Sequence, residues 1–169
     1  MTTQKYSSKD TCLNQVAAIY NKFQFPKGSR VLDYGGGRYD KAKQYMAENG
    51  VEVMVYDKYN RTPDHNAVVM AKAKQNTPDY VVCSNVLNVI AEDEIVDEVL
   101  FNLASFTGST VLITVYEGNG TGVGKVTTKG YQRNAKLCSY LPMVEKYFVV
   151  QKRNGVLICT GKRGESEAA

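Results

Sequence analysis

Val31-Leu32-Asp33-Tyr34-Gly35-Gly36-Gly37-Arg38-Tyr39, then Asp40 through Gly50, then Val51-Glu52-Val53-Met54-Val55-Tyr56-Asp57: this stretch settles the fold expectation. The apolar run at Val31 and Leu32 stops abruptly at three glycines. Ala42, Tyr45 and Met46 fall on one face of a helix over 40–49, which Gly50 ends. Val51, Val53 and Val55 alternate as a second strand, closed by Asp57. Strand, glycine turn, helix, strand and acid is the order of a parallel βαβ unit. Such a unit opens a crevice at the carboxyl ends of its strands.

The residue types in that crevice have chemical consequences. Glycine at the first turn lets backbone N–H groups approach a ligand with no Cβ between them. An acid at the end of the second strand can accept both hydroxyls of a ribose. Asp57 lies 24 residues beyond Asp33, near the ribose-acid spacing of about 20 residues. Asp33, just before the glycines, would repel a pyrophosphate. The two acids suit a ligand bearing a cationic amine or sulfonium. The alternative is a nucleotide-binding or degenerate α/β domain that uses glycine only for tight packing.

Asp33-Tyr34-Gly35-Gly36-Gly37 resembles the first motif of class I S-adenosylmethionine (SAM) dependent methyltransferases, and Asp57 resembles their second. Tyr39 stands where the family often has a further glycine, so the turn is matched in part. A later stretch, Asp79-Tyr80-Val81-Val82-Cys83-Ser84-Asn85-Val86-Leu87-Asn88-Val89-Ile90, reads as a buried strand with small polar groups at its carboxyl end. It resembles the fourth motif. The run from Ser84 to Ile90 more narrowly resembles methyltransferases associated with DNA phosphorothioation gene clusters, and small phage-type relatives. Residues 31–57, 79–93 and 128–148 carry that likeness.

The resemblance implies an α/β fold: a Rossmann-like, mostly parallel sheet with a C-terminal antiparallel hairpin. It implies SAM as cofactor, held by Asp33, Tyr34, Gly35, Gly36, Gly37, Asp57, Lys58, Ser84, Asn85 and Val86. Asn85 would stand near the methyl-transfer centre, with Tyr131 as a second catalytic candidate. Glu117, Gln132 and Arg133 are the substrate-side candidates.

Two departures matter. Amino-methylating DNA enzymes carry Pro-Pro and an aromatic after the small polar residue, a wedge that grips an extrahelical base. This chain has no proline there, and no cysteine follows a proline. DNA-base methylation by either standard mechanism is unsupported. Further, 21 residues separate Asp57 from the strand at Asp79. That leaves no room for a helix, a strand and another helix. The third strand is therefore expected to be missing or vestigial, with Tyr59, Asn60 and the segment after His65 replacing its share of the adenine wall.

At 169 residues the chain fits one domain, 1–169, with 1–9 and 162–169 flexible. Its 43% hydrophobic and 22% charged content is ordinary for a globular protein. No apolar run approaches 18 residues, so no membrane span is expected. The polar opening residues give no secretory signal pattern. Cys12, Cys83, Cys138 and Cys159 match no metal or redox spacing and read as reduced thiols in a cytoplasmic protein. His65 is the single histidine, which excludes a multi-histidine metal site. The net charge of +4 is compatible with a nucleic-acid acceptor without arguing for one.

Elsewhere, Asp10 could cap a helix to about Phe23, with Leu13, Val16, Ala17 and Tyr20 on one face. Asp93 to Phe106 is amphipathic, with Glu92, Asp93, Glu94, Asp97 and Glu98 on a solvated face and Asp93 as cap. Glu117 to Gly124 is a glycine-rich loop, suited to a lid or a connector. Thr127 to Asn134 leads into a helix to about Tyr140, and Pro142 starts another over 142–146. An Asn154-Gly155 turn joins a final hairpin. Three functions fit: a SAM-dependent methyltransferase with its acceptor open, a module that holds SAM, a nucleotide or a protein partner without turnover, and a SAM-cleaving enzyme.

Overall fold

The computed structural model describes residues 1–162. Apart from Lys162, the expected polar tail lies outside the described residues. The elements run α1 (Ile19–Lys22), β1 (Arg30–Tyr34), α2 (Lys41–Glu48), β2 (Glu52–Tyr56), α3 (Pro63–Gln75), β3 (Tyr80–Ser84), α4 (Asp93–Ala104), β4 (Thr110–Thr114), β5 (Lys125–Thr127), β6 (Gly130–Gln132), α5 (Leu141–Val144), β7 (Phe148–Arg153) and β8 (Val156–Gly161).

Six strands form one sheet in the order β2-β1-β3-β4-β8-β7. The first four are parallel, β8 is antiparallel to β4, and β7 is antiparallel to β8. The fold is a Rossmann-like, mostly parallel α/β sheet with an antiparallel pair at one side. β2 is an edge: among the described residues no strand lies beyond it. The expected third strand is missing outright.

The three central residues of β1, β3 and β4 are buried, because both faces of the sheet are covered. Their alternation divides the core. Leu32, Val81, Cys83, Val111 and Ile113 pack beneath α3, α4 and α5 with Val69, Val96, Leu100 and Val144. Val31, Val82 and Leu112 face the other way, onto Ile19, Tyr20, Phe25 and Met46. Cys83 and Cys159 are free and buried, and burial pushes both thiols up. In the final hairpin Asn154 (φ 52°) and Gly155 (φ 71°) both take the left-handed conformation that a tight two-residue turn requires.

The exposed edge of β2 is closed by side chains rather than by a strand. The Asn66 carboxamide accepts the Asp57 amide at 3.1 Å and donates to the Asp57 carbonyl at 2.9 Å. His65 Nε2 pairs with the Val55 carbonyl at 2.7 Å. Both come from the first turn of α3. Thr62 starts that helix by accepting the His65 amide, and Pro63 occupies its opening turn. The helix therefore begins at Pro63, five residues beyond Lys58.

Several local expectations are corrected. Of the helix expected from Asp10 to Phe23, only the four residues of α1 form, and Leu13 is 59% exposed. Residues 1–18 run instead as an irregular strap. Its first nine residues are tied down: Tyr59 Oη donates to Gln4 at 2.8 Å, and the Lys5 amide donates to Glu92 at 2.8 Å. The helix expected after Thr127 is the β5–β6 hairpin followed by a 3-10 turn at Leu137–Tyr140. The β-branched Val126-Thr127-Thr128 before Gly130 favours extended backbone there. Asp93 does not cap α4 through its side chain; it pairs with Arg133 at 2.9 Å. Asp97 accepts from Lys146 and Tyr147, so the acidic face is less solvated than its pattern implies. Among the described residues no helix is long and apolar enough to cross a membrane.

Candidate functional site

A cavity of about 580 Å³ opens at the carboxyl ends of β1, β2 and β3. Asp33, Tyr34, Gly35, Gly36, Gly37, Asp57, Lys58, Ser84, Asn85 and Val86 all line it. Residues far apart in sequence meet there because three parallel strands end side by side: Asp33 is in register with Val55 and Val82. Tyr59 and Asn60 add to one wall, and Val89, Ile90, Ile95 and Val99 to another. Tyr34 and Tyr56, stacked with centroids 4.8 Å apart, also contribute. The strap supplies the cover, with Met1, Gln4, Ser8, Thr11 and Cys12 among its lining residues. The segment after His65 does not line the cavity.

Asp33 is 4% exposed and accepts one side-chain hydrogen bond, from Tyr20 Oη at 2.8 Å. No basic side chain among the described residues forms an ion pair with it. Burial pushes its carboxyl up to about 6; the Tyr20 bond opposes this, the nearby Asp57 charge adds to it, and the Arg61 charge opposes it. Burial and the Asp33 charge together hold the Tyr20 hydroxyl in its protonated, donating form. A buried carboxylate with no direct ion-pair partner suits a cationic ligand group.

The glycine turn does not offer free N–H groups. The Gly35 amide donates to the Tyr56 carbonyl at 2.7 Å, Gly36 to the same oxygen at 3.3 Å, and Gly37 to Asp57 Oδ2 at 2.8 Å. Glycine is required by geometry instead. Gly35 and Gly37 have φ of +86° and +82°, and a Cβ on Gly36 would lie 2.7 Å from the Asp33 carboxyl carbon. No donor among the described residues reaches the Gly35 or Gly36 carbonyl. The turn thus presents acceptors beside a carboxylate, which fits an ammonium better than a phosphate.

Asp57 is 6% exposed and already well bonded. Oδ1 accepts from the Tyr59 amide (2.9 Å), the Asn60 amide (3.0 Å) and the Asn60 side chain (3.1 Å). Oδ2 accepts only Gly37. With two lone pairs per oxygen, Oδ2 retains one acceptor position, enough for one ribose hydroxyl without rearrangement. Arg61, absent from the sequence-based candidates, braces the same turn. It donates to the Gly37 carbonyl at 2.8 Å and pairs with Asp40 at 2.7 Å.

The substrate-side candidates lie elsewhere. Arg133 donates to the Ile90 and Ala91 carbonyls and pairs with Asp93; Gln132 accepts from Asn88 at 3.1 Å; Glu117 accepts the Leu137 amide at 2.6 Å. None of these three lines the cavity. Gln132 and Arg133 fasten the segment after β4 to the loop after β3, and Glu117 braces that segment internally. Tyr131 stacks on Tyr6 of the strap, centroids 5.5 Å apart. Asn85 lines the cavity in a left-handed conformation (φ 57°) that Asn tolerates better than most residues. Sequence reasoning missed Tyr20, Arg61 and the strap. The strap has no periodic pattern, and the partners of Tyr20 and Arg61 are 13 and 24 residues away.

No known family model matches the chain, and no curated protein matches it. Among solved structures it is similar to phosphoethanolamine N-methyltransferase 2 of the nematode Haemonchus contortus, in complex with phosphomonomethylethanolamine and S-adenosylhomocysteine. The TM-score is 0.50, with 18% identity over 79% of this chain and 36% of that one. A second structure of that enzyme, with SAM, gives a TM-score of 0.47 at 19% identity over the same shares. The chain thus spans about a third of the length of these methyltransferases. The likeness is one of fold: the α/β fold of SAM-dependent methyltransferases.

Proposed function

We propose that the chain is a single-domain SAM-dependent methyltransferase whose cavity at the ends of β1, β2 and β3 holds the cofactor. The observation that carries this is Asp33: a buried carboxylate with no direct ion-pair partner among the described residues, beside two glycine carbonyls without donors, in a cavity it shares with Asp57. Asp33 and the glycine carbonyls would receive the methionine ammonium. Asp57 Oδ2 would take a ribose hydroxyl, and Lys58, Val86 and Tyr59 would border the base. Ser84 and Asn85 sit at the end of β3, where the acceptor would approach. Bound there, SAM would supply an activated methyl group for an acceptor lone pair, and the acceptor's proton would pass to bulk solvent once the product leaves the cavity. The protein's part is to align the acceptor and exclude water, which needs no strong base. The fold likeness to SAM-binding methyltransferases supports the reading.

One observation favours a second reading. Glu117, Gln132 and Arg133 are engaged in structural bonds away from the cavity, as expected of a module that binds SAM without turnover. Calorimetry with SAM and S-adenosylhomocysteine tests the cofactor, and methyl-labelled SAM followed through to products separates transfer, cleavage and binding. Absence of heat with either ligand, from folded protein, overturns the proposal.

A further inference from the structure

Basic and aromatic side chains pair on Lys58 and Tyr59, which line the cavity, and on the segments next to its lining residues Gln4 and Gly37. Lys5 Nζ lies 5.4 Å from the Tyr6 ring centroid, the Arg38 guanidinium 5.9 Å from Tyr39, and Lys58 Nζ 5.7 Å from Tyr59. Direct contacts join these pairs into one tract. Tyr59 Oη donates to Gln4, next to Lys5. Tyr6 stacks on Tyr131 at an interplanar angle of 10°. A Cβ on Gly130, the neighbour of Lys129, would lie 2.8 Å from the Ser7 carbonyl. Arg38 donates to the Lys9 carbonyl at 2.6 Å and, through Nε, to Cys12 Sγ at 3.3 Å. These contacts bring the exposed Lys5, Lys9, Arg38, Lys58 and Lys129 into one neighbourhood with four tyrosines. The acids that touch it are Asp10, 3.7 Å from Arg38, and Glu92, bonded to the Lys5 amide.

We propose that this tract binds a single-stranded nucleic acid across the cavity mouth. Lysine and arginine supply affinity for phosphates, and the exposed Tyr39 with the half-buried Tyr6, Tyr59 and Tyr131 offers ring surface to unpaired bases in any sequence. A duplex fits less well, because Ser84-Asn85-Val86-Leu87 lacks the proline–aromatic wedge that holds a base drawn from a helix. An acidic peptide would engage the cations and leave the rings unused. Resting on the methyltransferase reading, the strand is the acceptor class: it passes over the site where the methyl donor would lie.

The test is fluorescence anisotropy of the full chain with a labelled oligothymidylate of about 12 nucleotides, between about 50 and 200 mM salt. S-adenosylhomocysteine calorimetry is run in parallel. We expect binding whose logarithm falls linearly with log salt. Lys9→Gln/Lys129→Gln should weaken it and flatten the slope by about 1.4, roughly 0.7 per neutralised phosphate. Lys72→Gln/Lys74→Gln, on exposed positions of α3, should leave it unchanged. Both variants should bind S-adenosylhomocysteine as the parent does. The surface is overturned if the oligonucleotide does not bind. It is also overturned if the α3 pair weakens binding equally, or if duplex DNA or polyglutamate competes as well as the single strand. If the oligonucleotide binds and the Lys9/Lys129 pair weakens it while S-adenosylhomocysteine gives no heat, the surface stands. The methyltransferase reading, and with it the acceptor role, then falls.

Discussion

Asp57 and Gly37 are bonded directly, the carboxylate Oδ2 accepting the glycine amide at 2.8 Å. The bond ties the end of β2 to the turn after β1, so one side chain holds two walls of the cavity. Its other oxygen fixes Tyr59 and Asn60. Asp57→Ala should therefore lower both ligand affinity and stability. Each lost charged hydrogen bond is worth about 1.5–3 kcal/mol, so S-adenosylhomocysteine affinity should drop at least about tenfold. Calorimetry and urea denaturation check the two effects. Unchanged affinity would remove Asp57 from the binding site, whatever happens to stability.

The buried Asp33 should leave a signature in stability against pH. Its folded value, about 6, lies above the ordinary 3.8. The stability it contributes is fully present below pH 3.8 and lost as pH rises through about 6. Across that window the loss is on the order of 3 kcal/mol. Asp33→Asn keeps an acceptor for Tyr20 and removes the titration. Relative to the parent, the variant should gain stability between pH 4 and 7 by an amount of that order. Acids with lowered values, Asp40 and Asp97, titrate in both proteins and cancel in the difference.

The same carboxyl should govern ligand affinity with the opposite sense. A cationic amine needs Asp33 ionised. Affinity for S-adenosylhomocysteine should be level above about pH 7 and fall by up to tenfold per pH unit below about 6. In Asp33→Asn the profile should be flat and weak. A parent profile that is flat from pH 5 to 8 would separate Asp33 from the ligand.

Gly36→Ala tests whether the turn is packed or merely flexible. The added Cβ would meet the Asp33 carboxyl at 2.7 Å and Val55 Cγ1 at 2.9 Å, and Asp33 is buried with little room to retreat. Overpacking of this kind costs about 1–3 kcal/mol. A denaturation midpoint equal to the parent's would show that the turn yields.

Asn66→Ala should open the edge of β2. It removes two hydrogen bonds to the Asp57 backbone. Leaving those groups unpaired costs about 1–3 kcal/mol. Amide exchange should accelerate first at Asp57, ahead of β1 and β3. Uniform acceleration across the sheet would contradict a local role.

The sheet, its missing strand and the meeting of ten named positions in one cavity were legible in the sequence. Each rests on a local pattern: an apolar run, a glycine turn, or a length too short for another strand. What escaped depends on contacts across long separations. Tyr20 reads as one more apolar residue on a helix face until Asp33 is seen beside it. Arg61 sits in a polar loop until the Gly37 carbonyl is found at its tip. The strap looks loose because nothing in its composition reports Tyr59, Glu92 or Tyr131. Glu117, Gln132 and Arg133 show the converse: nothing local in the sequence reports the partners, Leu137, Asn88 and Ile90, that already engage them.

The seal that His65 and Asn66 place on β2 also bears on how the protein behaves at high concentration. An unpaired strand is a template on which other chains assemble into cross-β aggregates. Here the Val55 carbonyl and both backbone groups of Asp57 are already spent. That shortens the template β2 offers, and at the opposite flank the Gln151-Lys152-Arg153 end of β7 brings positive charges together when two copies align. The sheet is thus less open to polymerisation at both flanks than two bare, uncharged edges would be.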